Sequence, residues 1–209
     1  MNNIELLYKN SKSIKEFAEG YARYLSSVLQ SVDFAGMKQL EDMLETARER
    51  QHTIFVAGNG GSATTASSMA NDLGFDIVKK ARADIPFKVL SLTDNNSVMT
   101  AISNDVGYDY VFVNQLKIHY RKGDLLLVIS ASGNSPNLIR AAEWVNANGG
   151  KTVALLGFDG GKLKDLCDLS IHFRSEKGEY GPVEDAHLVI NHILAHWFQI
   201  KLKRTTTGE

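Results

Sequence analysis

Two short stretches hold the residues best suited to gripping a ligand. Residues 58–62 read Gly-Asn-Gly-Gly-Ser, and residues 130–135 read Ser-Ala-Ser-Gly-Asn-Ser. Each combines glycines with small hydroxyl and amide side chains, and each stands just before a helical pattern. A helix N-terminus exposes unpaired backbone N–H groups and the positive end of the helix dipole. Serine hydroxyls added to those amides make a phosphate site that needs no lysine. Ser135 or Asn134 is placed to cap the following helix, with Pro136 in its first turn. Gly60, Gly61 and Ser62 offer a second set of free amides, in a backbone bare enough to let something come close. A nucleotide loop fits less well. The run "GNGGSA" is neither G-x-G-x-x-G nor G-x-x-x-x-G-K-[ST], and Asp94 lies just beyond the second strand rather than ending it. His192 and His196 stand four apart, a spacing that can clamp a metal on one helix face. They share the apolar run "HLVINHILAHWF" with His187, which reads more simply as a helix with structural histidines.

The elements that must position these loops follow from the hydrophobic pattern. Residues 3–30 carry apolar positions at helical spacing, and a second helix is expected over 35–50. Then short apolar strands alternate with helices: "TIFVAG", a helix over 62–79, "FKVLSLT", helices near 95–102 and 109–121, "DLLLVIS", a helix over 136–148, "KTVALLG", a short helix near 161–166, "LSIHF", and a last helix over 183–203. All-apolar strands between helices mark a parallel sheet covered on both faces. The expected fold is therefore α/β: a three-layer αβα sandwich around a five-stranded parallel sheet, with an N-terminal helical extension. In such sheets ligands bind beyond the carboxyl ends of the strands. Both polar loops fall there.

Composition narrows the function classes. The chain has 209 residues, 44% of them apolar, and only three prolines, as an ordered globular chain does. A net charge of −1 gives no pull toward nucleic acid or anionic lipid, so neither is expected as a partner. The apolar runs are strand-sized, and the N-terminus lacks the apolar core of a secretory signal. The single cysteine, Cys167, excludes an intramolecular disulfide and fits a reducing compartment. The expected location is cytoplasmic. Lys79, Lys80, Arg82 and Lys88 read as a solvated face, Trp144 and Trp197 as packing, and "KRTTTGE" as a frayed tail. The two N-terminal helices have apolar stripes that the sheet cannot fully cover, which suggests an oligomer interface.

Taken in order, "GNGGSA", "LTDNNSVMTAISND", "SASGNSPN", "GFDGGKL" and "VEDAHLVINHIL" resemble the SIS (sugar isomerase) domain proteins, most closely the phosphoheptose (sedoheptulose 7-phosphate) isomerase branch. The resemblance covers almost the whole chain. It implies one SIS domain over residues 1–209, with 1–50 as oligomerising helices and 51–209 as a flavodoxin-like core. It also implies a homotetramer with sites shared between subunits. The implied activity converts sedoheptulose 7-phosphate to D-glycero-D-manno-heptose 7-phosphate, an aldose–ketose isomerisation feeding heptose synthesis for a surface polysaccharide. The family's phosphate loop is S-T-S-G-N-S; here Ala131 replaces threonine. By resemblance, Ser130, Ser132 and Ser135 hold phosphate, while Asn59, Gly60, Gly61, Asn104 and Asp105 contact sugar hydroxyls.

The isomerisation moves a proton between adjacent carbons through an enediol, which requires a base and a partner for the developing oxyanion. The family places histidine and glutamate at positions 68 and 72, as zinc ligands, with the glutamate a proposed base. This chain has Ser68 and Asp72, four apart and so expected on one helix face. Asp76 stands where the family has arginine, and the family's glutamine–glutamate pair appears as Glu184 and Asp185. Glu184 also reads as a first-turn acid suited to the helix dipole. His192 falls on a family metal-ligand position. Asp72 and His192 are thus the expected catalytic pair, with Glu184 at the substrate. Zinc is the candidate metal, but eight residues separate Glu184 from His192, about 12 Å on a straight helix. The two meet at one ion only if Glu184 leaves the helix or a second subunit takes part. The altered shell also admits a different class of function, a non-catalytic SIS module that binds a phosphosugar as a regulator or adaptor.

Overall fold

The computed structural model describes residues 1–32, 34–81 and 84–207, with side chains through residue 203. Arg82 and the last two residues of the "KRTTTGE" tail lie outside the described residues. The chain opens with α1 (Asn3–Asn10), α2 (Ile14–Gln30) and α3 (Ala35–Glu49). The first 30 residues thus form two helices, where periodicity alone suggests one. Asn2 and Glu5 close a capping box on α1, and the Ser13 hydroxyl accepts the Glu16 N–H to start α2 afresh. A polar triplet, Ser11-Lys12-Ser13, with a cap at its end breaks the helix even though the apolar spacing runs on.

Five parallel strands follow: β1 (Thr53–Gly58), β2 (Lys88–Ser91), β3 (Leu125–Ser130), β4 (Lys151–Leu156) and β5 (Leu169–His172). Their order across the sheet is β2-β1-β3-β4-β5. Helices α4 (Gly61–Met69), α5 (Asp76–Ala81), α6 (Asn96–Asp105), α7 (Val111–His119), α8 (Pro136–Ala147), α9 (Leu163–Leu166) and α10 (Tyr180–Thr207) make the connections and the last helix. Alternate strand residues point to opposite faces. Ile54, Val56, Leu127, Ile129, Val153 and Leu155 pack beneath α3, α4, α5 and α10. Phe55, Ala57, Leu126, Val128, Ala154 and Leu156 pack beneath α7, α8 and α9. This is the three-layer αβα sandwich with the expected five-stranded parallel sheet.

Two departures bear on the site. A π-helical turn, Ala70–Phe75, joins α4 to α5 and carries Asp72. Such turns widen the helix and shift the phase of the residues after them, so Ser68 and Asp72 lose the ideal i, i+4 relation. Helix α10 starts at Tyr180, three residues before the expected start, so Glu184 sits in its second turn rather than its first. Its backbone also stays helical to Thr207, through most of the expected frayed tail. Trp144 packs as expected, edge-on to Tyr120 at 5.4 Å. Trp197 does not: it is 53% exposed, with its indole N–H donating to Glu41. Lys80 pairs with Asp76 at 2.6 Å on the outer face of α5. Among the described residues no helix is long and apolar enough to cross a membrane.

Candidate active site

The sheet order reverses at β1 and β3, the position where α/β sheets bind ligands. Register pairs Gly58 with Ile129, which brings the loops starting at Asn59 and Ser130 side by side. Gly60 (φ +55°) turns the chain from β1 into α4. A Cβ on Gly58 would stand 2.5 Å from the Ser62 carbonyl oxygen, so that position needs glycine for the turn itself. A Cβ on Gly61 would stand 2.2 Å from a Glu184 carboxylate oxygen. The group that approaches this bare backbone is therefore the protein's own Glu184.

Across the crevice, the Ser130 hydroxyl accepts the Gly133 N–H (3.0 Å) and the Ser132 hydroxyl accepts the Asn134 N–H (3.3 Å). Gly133 (φ +62°) allows this turn, and a Cβ there would fall 1.9 Å from the Gly160 carbonyl oxygen. Ser135 occupies the N-cap position of α8, with Pro136 in the first turn, but its side chain makes no capping bond. Asn134 does not cap either. Its amide donates to the Ser132 carbonyl and its oxygen accepts the Lys162 N–H, tying this loop to the one after β4. Among the described residues the Ser135 hydroxyl therefore has no hydrogen-bond partner.

Asn59, Ser62, Ser130, Ala131, Ser132, Ser135 and Glu184 line one cavity of about 130 Å³, together with Tyr180. Asn59 is already engaged. It exchanges two amide hydrogen bonds with Asn137 (3.0 and 2.9 Å), and its oxygen also accepts the Tyr108 hydroxyl (2.8 Å). Burial lifts the Glu184 carboxyl above the usual carboxylate range, with a further push from Asp185. Asp185 in turn accepts the Tyr21 hydroxyl at 2.6 Å. Tyr180, Tyr108 and Asn137 are not singled out by sequence reasoning. Only the place of Tyr180, four residues before Glu184, signals its role; its ring is steadied edge-on against Phe158 at 5.1 Å. Asn104 and Asp105 are not brought to this cavity. They end α6 exposed, bonded to each other.

Asp72, on the π-helical turn, and His192, on α10, come together away from this cavity. His192 Nε2 lies 3.8 Å from Asp72 Oδ2, with His192 half exposed and Asp72 mostly covered. Both carboxylate oxygens of Asp72 hold amide donors, Asn71 on Oδ1 (2.9 Å) and Asn191 on Oδ2 (2.6 Å). Of the other histidines on this helix, His187 is wholly buried and His196 is exposed. Helix α10 is unbroken from Tyr180 to Thr207, so His192 stands about 12 Å along it from Glu184.

These residues do not fit a zinc site within one chain. Glu184 stays on the regular helix about 12 Å from His192, and Ser68 is a poor ligand. Among the described residues no three metal-binding side chains converge.

The parallel sheet with polar, glycine-rich loops at its switch point matches a known class: the chain belongs to the SIS domain family, whose model matches residues 16–157. Within that family it stands among the phosphoheptose isomerases. It is 41% identical over 148 residues to the phosphoheptose isomerase of a Nitratiruptor species, covering 71% of this chain and 76% of that one. It is 35% identical over 184 residues to that of Aliarcobacter butzleri, covering 88% and 94%. In structure it is similar to phosphoheptose isomerase GmhA from Neisseria gonorrhoeae, with a TM-score of 0.78 and 25% identity over 89% of this chain and 98% of that one.

Proposed function

We propose that this protein interconverts sedoheptulose 7-phosphate and D-glycero-D-manno-heptose 7-phosphate. The observation that carries the reading is the cavity at the switch point. Four serines and two loop backbones converge there with no lysine or arginine among the described lining residues, as suits a phosphate held by helix amides and hydroxyls. Ser130 and Ser132 shape the loop and Ser135 offers a free hydroxyl. Glu184, Gly60, Gly61 and Ser62 face the sugar from the other side.

Asp72 takes the proton from C1 of the ketose. The C1–H electrons form the C1=C2 bond of the enediol and the C2 carbonyl oxygen gains a proton. Asp72 then returns its proton to C2 as the C1 hydroxyl becomes the aldehyde. His192, beside Asp72, moves the proton between the two oxygens. The separation of about 12 Å between His192 and Glu184 on α10 favours a site completed by a second copy, one copy's Asp72–His192 pair facing another's phosphate loop. The exposed Phe75, Ile193, Trp197 and Ile200, on the helical segments that carry that pair, supply apolar surface for such contact. The chain is accordingly read as one domain, a cytoplasmic homotetramer, and a source of heptose phosphate for surface polysaccharide.

The test is an isomerase assay on purified, metal-analysed protein with sedoheptulose 7-phosphate, with chelator and with added zinc. Turnover that survives chelation supports the Asp72–His192 mechanism. Turnover that requires zinc overturns its metal-free form. Absence of turnover together with thermal stabilisation by the sugar phosphate makes the protein a binding module.

A further inference from the structure

Asn191 has no place in the expected site, yet its surroundings are unusual. It is wholly buried on α10, whose buried Ile190 and Leu194 join Leu73 and Ile77 in one core cluster. Its side-chain amide donates from Nδ2 to Asp72 Oδ2 at 2.6 Å. Among the described residues its side-chain oxygen has no hydrogen-bond partner. Leaving a buried carbonyl unsatisfied is unfavourable, whereas an aliphatic side chain of the same shape carries no such penalty. Asn191 is therefore poorly explained as a core residue. What its amide does is hold one oxygen of Asp72 while Asn71 holds the other, so the carboxylate on this π-helical turn is held from both sides.

We infer that Asn191 is a positioning residue that fixes the Asp72 carboxylate in its working orientation, at the expense of core stability. The inference rests on Asp72 being the base. A carboxylate free to rotate spends less time in the reactive geometry, so the loss falls on the chemical step rather than on substrate binding.

The experiment compares Asn191→Leu, Asn191→Ala and Asp72→Asn with the unaltered protein, by steady-state kinetics on sedoheptulose 7-phosphate and by thermal unfolding. Asn191→Leu keeps the side-chain shape, and Asn191→Ala cannot overpack if leucine does. The expected result is a kcat lower by about 10-fold or more, the loss of one hydrogen bond to a charged group, with KM changed less than about threefold and the leucine variant melting no lower than the unaltered protein. Unchanged kcat in a folded Asn191 variant, with Asp72→Asn inactive, overturns the positioning role while leaving Asp72 as the base. So does a fall in kcat that tracks a fall in melting temperature in both variants, which would make Asn191 merely structural. An active Asp72→Asn removes the underlying reading instead.

Discussion

His187 should make this protein lose stability in mild acid, by an amount the structure sets. Its ring is wholly buried behind β4, edge-on to Phe173 at 5.8 Å. Burial is the main cause that pushes its pKa down to about 4, from an ordinary value of 6.5. The Leu156 carbonyl works in the opposite sense and His172 adds slightly to the fall. In the unfolded chain His187 takes up its proton near pH 6.5. Between there and about pH 4 the unfolded state holds a proton that the folded state does not. The stability that depends on neutral His187 is complete above pH 6.5, declines as the pH falls through this window, and levels off below about pH 4. A shift of this size corresponds to about 3 kcal/mol. Glu184, lifted by burial, contributes in the opposite sense, but equally in any protein that retains it. The perturbation is therefore His187→Leu, which has no proton to gain. Urea unfolding of both proteins, from above pH 6.5 down to about pH 4, gives two stability curves. Their difference should widen in the variant's favour toward acid, approaching about 3 kcal/mol. Parallel curves across the window would refute the claim that buried neutral His187 governs this loss.

Two further outcomes test the site. Ser135→Ala removes the hydroxyl of the proposed phosphate loop that, among the described residues, makes no capping or loop bond. Steady-state kinetics should show KM raised by about 10-fold at an unchanged melting temperature, and an unchanged KM would take Ser135 out of the phosphate site. Gly61→Ala puts a methyl 2.2 Å from the Glu184 carboxylate, the mobile end of a side chain that can swing away. Stability should stay within about 1 kcal/mol while kcat/KM falls by about 10-fold or more. Full activity would show that Glu184 need not lie over the glycine loop.

The αβα layering was legible in the sequence because it depends on local pattern. All-apolar runs such as "LLLVIS" suit only strands buried on both faces, and the helices between them leave few other arrangements. The loops at the strand ends were legible for the same reason, since glycine, serine and asparagine declare a turn wherever they stand together. Local pattern misleads where one neighbour outweighs it. Ser13 restarts a helix that periodicity would run through. Trp197, on an amphipathic helix, lies half exposed at the surface, where its indole N–H bonds Glu41 instead of its ring filling the core.

The partnerships between distant residues were settled only by the tertiary structure. Sequence spacing cannot show that Glu184 closes over Gly61, that Tyr108 reaches Asn59 across 49 positions, or that Asn134 turns from its own helix to the loop after β4. Nor can it show that Asn191, an unremarked residue of an apolar helix, holds Asp72 from 119 positions away. Types and periods along the chain determined which elements form and where polar loops gather. The sheet order then decided which loops meet, and the π-helical turn decided which way Asp72 faces. Side-chain contacts depend on where whole elements pack, and that is a property of the assembled core rather than of any window of sequence.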